Sequence, residues 1–167
     1  MNSKKHQGHP HLTGEHRWGD AGQLVLFLLY IGIWITDSFI YHYSTFLRGM
    51  VPDYIRITVA GIILVIGWYL ARSGMRAVFG ITRDNPELIT SGVFRIVRHP
   101  IYAGAILFYM GSAVITMSIA SAAFWPVIVV FYFFISRYEE RLLEDEFGDD
   151  YSTYKKRTGM LFPKLFK

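Results

Sequence analysis

The chain has no cysteine among its 167 residues. Disulfides, thiolate metal sites and a cysteine nucleophile are therefore excluded. No Gly-rich strand-to-helix fingerprint is present either, so nothing points to a dinucleotide-binding fold. Residues 1–20 are polar and rich in His and Gly, with no apolar core ahead of a small-residue cleavage site. They do not read as a secretory signal. Internal repeats and low-complexity linkers are absent. The simplest organisation is a polar tail over residues 1–20 and one helical domain over 21–167, with an N-terminal hairpin at 21–73 and a second part at 88–163.

What is present is apolar. Hydrophobic residues make up 52% of the chain, and the mean hydropathy is +0.28. That is high for a soluble domain and ordinary for a small multi-pass membrane protein. The net charge of +4 comes from basic residues flanking apolar segments. It therefore speaks for orientation in a bilayer, and nucleic acid is not expected as a partner.

A membrane-spanning helix needs roughly 20 mostly apolar residues. The candidates are 21–43, 54–70, 101–117 and 122–136, with a long mixed segment, 71–99, between the second and third. Ser118 to Ser121 separates the last two, which predicts a tight antiparallel hairpin. The fold class is thus all-α, with about four transmembrane helices and a cytoplasmic C-terminal helical tail. That tail is expected to be helical over 137–147, to turn at Gly148, to resume over 151–157 and to end at Pro163. The basic residues agree with this layout. Lys4, Lys5 and Arg17 precede the first span, and Arg72, Arg76, Arg83, Arg95 and Arg98 lie between the second and third. Arg137, Arg141, Lys155, Lys156, Arg157, Lys164 and Lys167 follow the fourth, whereas the other two loops hold only Arg48 and Arg56. Both termini are then expected in the cytoplasm.

Two charged clusters stand at the ends of the second hairpin. Pro100 suits the first turn of the third helix, which puts His99 at its cap and Arg98 just outside. A helix start offers free N–H groups and partial positive charge, and Arg98 makes it a natural anion site. Glu139 and Glu140 begin where the fourth span ends, on the same side as Arg98 and His99. Neighbouring helical residues point about 100° apart, so one Glu is expected to face the cluster. The alternative is that both belong to a solvated charged face with Arg137, Arg141 and Asp145. Gly104 and Gly111 lie nearly on one face; they either admit a ligand or pack helices through small residues. An anion-binding helix start, an aromatic residue (Tyr102) and carboxylates together suit a zwitterionic ligand carrying positive charge.

Leu88-Ile89-Thr90-Ser91-Gly92-Val93-Phe94, then Arg98-His99-Pro100-Ile101-Tyr102-Ala103-Gly104, resembles the isoprenylcysteine carboxyl methyltransferase and phospholipid methyltransferase superfamily. So do Glu139-Glu140-Arg141-Leu142-Leu143, Phe147-Gly148-Asp149-Asp150-Tyr151 with Tyr154, and Phe162-Pro163. The resemblance covers nearly half of the chain. It implies an integral membrane methyltransferase that uses S-adenosylmethionine, releases S-adenosylhomocysteine, and takes a lipophilic acceptor from the bilayer at a cytoplasmic cofactor site. It further implies catalytic roles for Arg98, His99 and Glu140. Cofactor contacts are implied for Ile89, Gly92, His99, Tyr102, Gly104, Glu139 and Glu140, and substrate contacts for Arg98 and Arg137. Loss of the Arg98 charge would then abolish turnover in a protein that still folds. The chain departs from the phospholipid branch by reading Ala103-Gly104-Ala105 where a Gly-x-Gly element is frequent. The Arg-His-Pro-x-Tyr form leans to the prenylcysteine-type branch. Phospholipid ethanolamine N-methylation is the alternative, followed by a non-catalytic membrane scaffold or a sterol-reductase-like oxidoreductase with a nicotinamide cofactor.

Other features carry less. Asp37 reads either as a head-group contact or as an interfacial residue bonded to a neighbouring helix. His6, His9, His11 and His16 are irregularly spaced, and no metal is expected. Trp18, Trp68 and Trp125 read as interfacial or packing aromatics. The run Lys155-Lys156-Arg157 is expected to be drawn to anionic lipid.

Overall fold

The computed structural model describes residues 17–80 and 87–164. Lys4, Lys5, the four tail histidines, Arg83 and Lys167 lie outside the described residues, as does the Trp18 side chain. Four helices make the architecture: α1 (Arg17–Ile35), α2 (Asp53–Phe79), α3 (Pro100–Thr116) and α4 (Ile119–Arg157). A π-helical turn, Thr36–Tyr41, extends α1 and ends at His42 in the left-handed region. Among the described residues the only β-pairing is one isolated bridge, Val97 to Gly159. Among the described residues, three stretches are long and apolar enough to cross a membrane: Gly19–Tyr41, Asp53–Phe79 and Ile119–Arg157. The α3 helix is shorter, at 17 residues.

Each boundary has a local cause. Pro100 opens α3 at its first turn, where a missing N–H costs no bond. Met117 at φ 55 stops it, and the Ser118 hydroxyl caps α4 by accepting from the Ser121 N–H at 3.1 Å. Gly148 (φ 51, ψ −121) breaks α4 internally, as the expected turn there requires. One boundary differs: α2 runs past the expected end near residue 70 to Phe79. The added turns alternate buried Gly74 with exposed Arg72 and Arg76, so the helix continues after its apolar stretch has ended.

Small residues weld α2 to α3. Ala60, Gly67 and Gly74, seven apart, are all buried on α2. A Cβ on Gly104 would meet the Gly67 carbonyl oxygen at 2.5 Å and the Ala71 Cβ at 2.8 Å. One on Gly111 would meet Leu64 at 2.7 Å. Such spacing lets two backbones approach closely where lipid supplies no hydrophobic drive. On the other side, Tyr30, Ile106, Tyr109, Ile128 and Tyr132 form the core that joins α1, α3 and α4. Apolar side chains such as Leu24, Val65, Trp68, Val130 and Phe134 point outward, as they would towards lipid. Trp125 instead packs inward and donates to the Ile106 carbonyl at 3.0 Å.

Asp37 sits in the π-turn, buried. Its carboxylate accepts from the Ser44 N–H at 2.8 Å, the Ser44 hydroxyl at 2.6 Å and the Ser118 hydroxyl at 2.5 Å. Asp37 therefore ties the end of α1 to the α3–α4 turn, which is the neighbour-bonded role.

Candidate active site between the third and fourth helices

The segment leading into α3 is held from the far end of the chain. The Arg98 N–H donates to the Gly159 carbonyl at 2.8 Å and the His99 N–H to that of Met160 at 3.1 Å. The Tyr154 hydroxyl donates to the Phe94 carbonyl at 2.6 Å. The break at Gly148 turns the last part of α4 so that residues 154–160 can reach back.

Arg98 uses its whole guanidinium internally. Its Nε donates to Glu140 Oε1 at 2.7 Å, and its Nη2 lies 2.6 Å from the same oxygen. Its Nη1 donates to the carbonyls of Lys155, at 3.1 Å, and Thr158. Arg98 thus neutralises Glu140 and caps the carbonyl end of α4 at once, where the helix dipole favours a cation.

Both glutamates engage, although helical spacing predicts only one. Glu140 is 1% exposed and points inward. Glu139 is reached because two residues of α3's first turn extend towards it. The Tyr102 hydroxyl donates to Glu139 Oε1, and His99 Nδ1 lies 3.3 Å from Glu139 Oε2. His99 Nε2 lies 3.5 Å from Glu140 Oε1. The His99 and Tyr102 rings stack at 5.8 Å and 9°, and Tyr102 leans on Tyr132 at 5.2 Å.

Burial alone would depress the His99 pKa, but hydrogen bonds and charge from Glu139 and Glu140 outweigh it and raise the value. A raised pKa in the folded state stabilises the fold fully below the unfolded value of about 6.5, and that contribution is lost as pH rises through the folded value. Thermal unfolding of the ligand-free protein between about pH 6 and pH 9 should therefore show falling stability as pH rises. His99→Gln should flatten that slope; an unchanged slope would mean that His99 is not the titrating group.

Four buried side-chain atoms have no hydrogen-bond partner among the described residues: His99 Nε2, Glu140 Oε2, Ser136 Oγ and Tyr151 Oη. Buried polar atoms are paired in the great majority of cases. Here two belong to the cluster itself. Ser136 is one turn before Glu140 on the same face of α4, and the Tyr151 hydroxyl feels the charges of Glu140 and Arg98. Polar capacity is therefore left over at this junction, as a ligand site needs. Ser136 and Tyr151 were not among the expected site residues. The i−4 spacing from Glu140 was the available signal for Ser136; Tyr151 had only its place in the Phe147-to-Tyr151 stretch.

The other expected residues lie apart. Gly104 is pressed against α2, and the space beside it is filled by Gly67 and Ala71. That is the geometry of the helix-packing alternative for Gly104. Gly92, at φ +61, opens the 3₁₀ turn Gly92–Arg95 with nothing near its Cβ position, and Ile89 is half-buried just before it. Arg137 is exposed and lies over the Phe133 ring at 6.0 Å, turned away from the cluster.

Residues 54–150, more than half of the chain, match the family model described as phospholipid methyltransferase. The chain belongs to the phospholipid methyltransferase family. Its relatives carry varied names. Methanethiol S-methyltransferase 1 of Bradyrhizobium diazoefficiens is 38% identical over 79 residues, 47% of this chain and 27% of that protein. Protein-S-isoprenylcysteine O-methyltransferase B of Arabidopsis thaliana is 38% identical over 76 residues, 44% of this chain and 38% of that one. The cobalt-zinc-cadmium resistance protein CzcN of Cupriavidus metallidurans is 33% identical over 84 residues, 50% of this chain and 38% of that one. The chain thus spans less than half the length of these curated relatives. The family match takes in α2, α3 and α4 up to Asp150, so it contains every member of the Arg98–Glu140 cluster except the residues that splint it from behind.

Proposed function

We propose that this family member is an integral membrane methyltransferase that moves a methyl group from S-adenosylmethionine to a lipophilic acceptor. The observation that carries the reading is the convergence on the Arg98–His99 and Glu139–Glu140 junction of buried polar atoms that make no hydrogen bond among the described residues, although Lys155 Nζ lies 3.5 Å from Glu140 Oε2. The residues present fit the donor. Glu140 Oε2 and Glu139 would hold its cationic amine and sulfonium side, and the spare hydrogen-bonding capacity of His99, Ser136 and Tyr151 would meet its polar atoms. When bound, the donor supplies an electrophilic methyl group; the protein contributes position and charge.

The state of His99 bears on the acceptor. Glu139 and Glu140 raise the His99 pKa, which shifts the ring towards its protonated form, a donor at Nε2. That favours an acceptor needing no base, such as a carboxylate or thiolate, over a neutral amine that must lose a proton during transfer. The reading is accordingly isoprenylcysteine carboxyl methyltransferase-like, with phospholipid N-methylation as the alternative.

In this reading four helices cross the bilayer. The α3 helix, about 25 Å long, does so with help from its interfacial ends. The site and both termini face the cytoplasm, supported by Arg72, Arg76, Arg95, Lys156 and Arg157 on the site's side of the molecule, against Arg48 and Arg56 on the other.

Calorimetry in detergent with S-adenosylhomocysteine and with a nicotinamide dinucleotide tests the donor. Binding of the first alone is expected; binding of neither would defeat the reading. Transfer of labelled methyl into a total lipid extract then identifies the acceptor, and label migrating with a phospholipid would move the assignment to the amine alternative.

A further inference from the structure

The outer side of α4 carries a second feature that methyl transfer does not use. Phe133, Phe134, Arg137, Tyr138 and Arg141 line a shallow, open cleft on the surface of α4. Phe134 is 66% exposed, and Arg137 and Arg141 are exposed one helical turn apart.

The nearby acids form no ion pair with these arginines, and that includes the exposed Asp145 one turn past Arg141. Glu139 and Glu140 turn inward to Tyr102, His99 and Arg98, and Glu144 pairs with Lys155 at 2.7 Å. Among the described residues neither Arg137 nor Arg141 forms an ion pair; Arg137 has only the Phe133 ring. Two unpaired guanidiniums one turn apart suit a phosphate, which they grip through directional, charge-assisted bonds. The order along the helix matters equally. Exposed phenylalanines come first, at the end of the apolar run, and the arginines follow. A phospholipid in one leaflet presents the same order, from acyl chain to phosphate.

We propose that this cleft binds an anionic phospholipid of the surrounding bilayer, with its head group between Arg137 and Arg141 and its upper acyl chain along Phe133 and Phe134. The occupant is a neighbouring lipid, not the methyl acceptor, because the cleft opens away from the Glu140 cluster. The inference is independent of the proposed activity.

Native mass spectrometry of the full chain in detergent micelles containing either phosphatidylglycerol or phosphatidylcholine provides the test. Phosphatidylglycerol should be retained preferentially, and added salt should weaken its retention. Each basic residue near an anionic membrane surface contributes about fivefold, so R137Q/R141Q should bind about thirtyfold more weakly, while R137K/R141K keeps most of the affinity. Equal retention of the two lipids, or undiminished binding in R137Q/R141Q, would overturn the proposal. Should the double variant fold poorly, R141Q alone must still lose about fivefold; no loss there would be equally decisive.

Discussion

Glu140→Ala should destabilise the ligand-free protein by about 3–5 kcal/mol and abolish binding of the methyl donor. The carboxylate is 1% exposed and accepts from Arg98 Nε at 2.7 Å. Its removal leaves a guanidinium buried without its counter-charge, which is the expensive way to break such a pair. Arg98→Ala is expected to cost less than Glu140→Ala, because His99 and Lys155 stay 3.5 Å from the carboxylate, although the carbonyls of Lys155 and Thr158 lose their donor. Replacing both by leucine should recover part of the loss, since a buried pair exchanged for apolar volume is often near neutral. Chemical unfolding in mixed micelles of the wild type, Glu140→Ala, Arg98→Ala and the double alanine variant gives the four corners of the cycle, with the double leucine variant beside them. A loss below about 1 kcal/mol for Glu140→Ala would show that the pair is solvated and contributes little.

The second large effect is steric. Gly104→Ala puts a Cβ 2.5 Å from the Gly67 carbonyl oxygen and 2.8 Å from the Ala71 Cβ. Both neighbours belong to α2, and a backbone carbonyl cannot rotate aside, so the helices must separate. Overpacking of this kind costs about 1–3 kcal/mol, and Gly104→Leu should exceed that. Because α3 also carries His99 and Tyr102, the displacement should weaken donor binding without touching a site residue. Gly61→Ala is the control: nothing lies near its Cβ position, so alanine should be neutral or raise stability by about 0.5–1 kcal/mol. Equal thermal shifts in the two variants would refute the α2–α3 contact as drawn.

Much of this arrangement could be read from residue order. Pro100 announces the start of α3, Ser118 to Ser121 its turn into α4, and Gly148 the break within α4. An antiparallel hairpin then obliges Arg98 and Glu140 to meet. The extension of α2 to Phe79 was hidden because hydropathy reports the solvent a helix passes through, not where its backbone bonds stop. The facing of Gly104 was equally hidden, since a glycine that admits a ligand and one that admits a helix look alike until the neighbour is known. Glu139 joined the cluster because Tyr102 and the His99 ring reach sideways, a matter of side-chain length that helical angle does not include. Ser136 and Tyr151 emerge only from counting hydrogen bonds.

The splint formed by Gly159 and Met160 behind Arg98 and His99 has an outcome for biogenesis. Helices α1 to α3 can enter the bilayer while translation is still under way, yet the backbone that steadies the Arg-His-Pro corner lies far downstream of it, at Gly159 and Met160. A nascent chain that stalls after Gly148 would sit in the membrane with its corner unsupported. The corner therefore gains its backbone support only once residues 159 and 160 have been made.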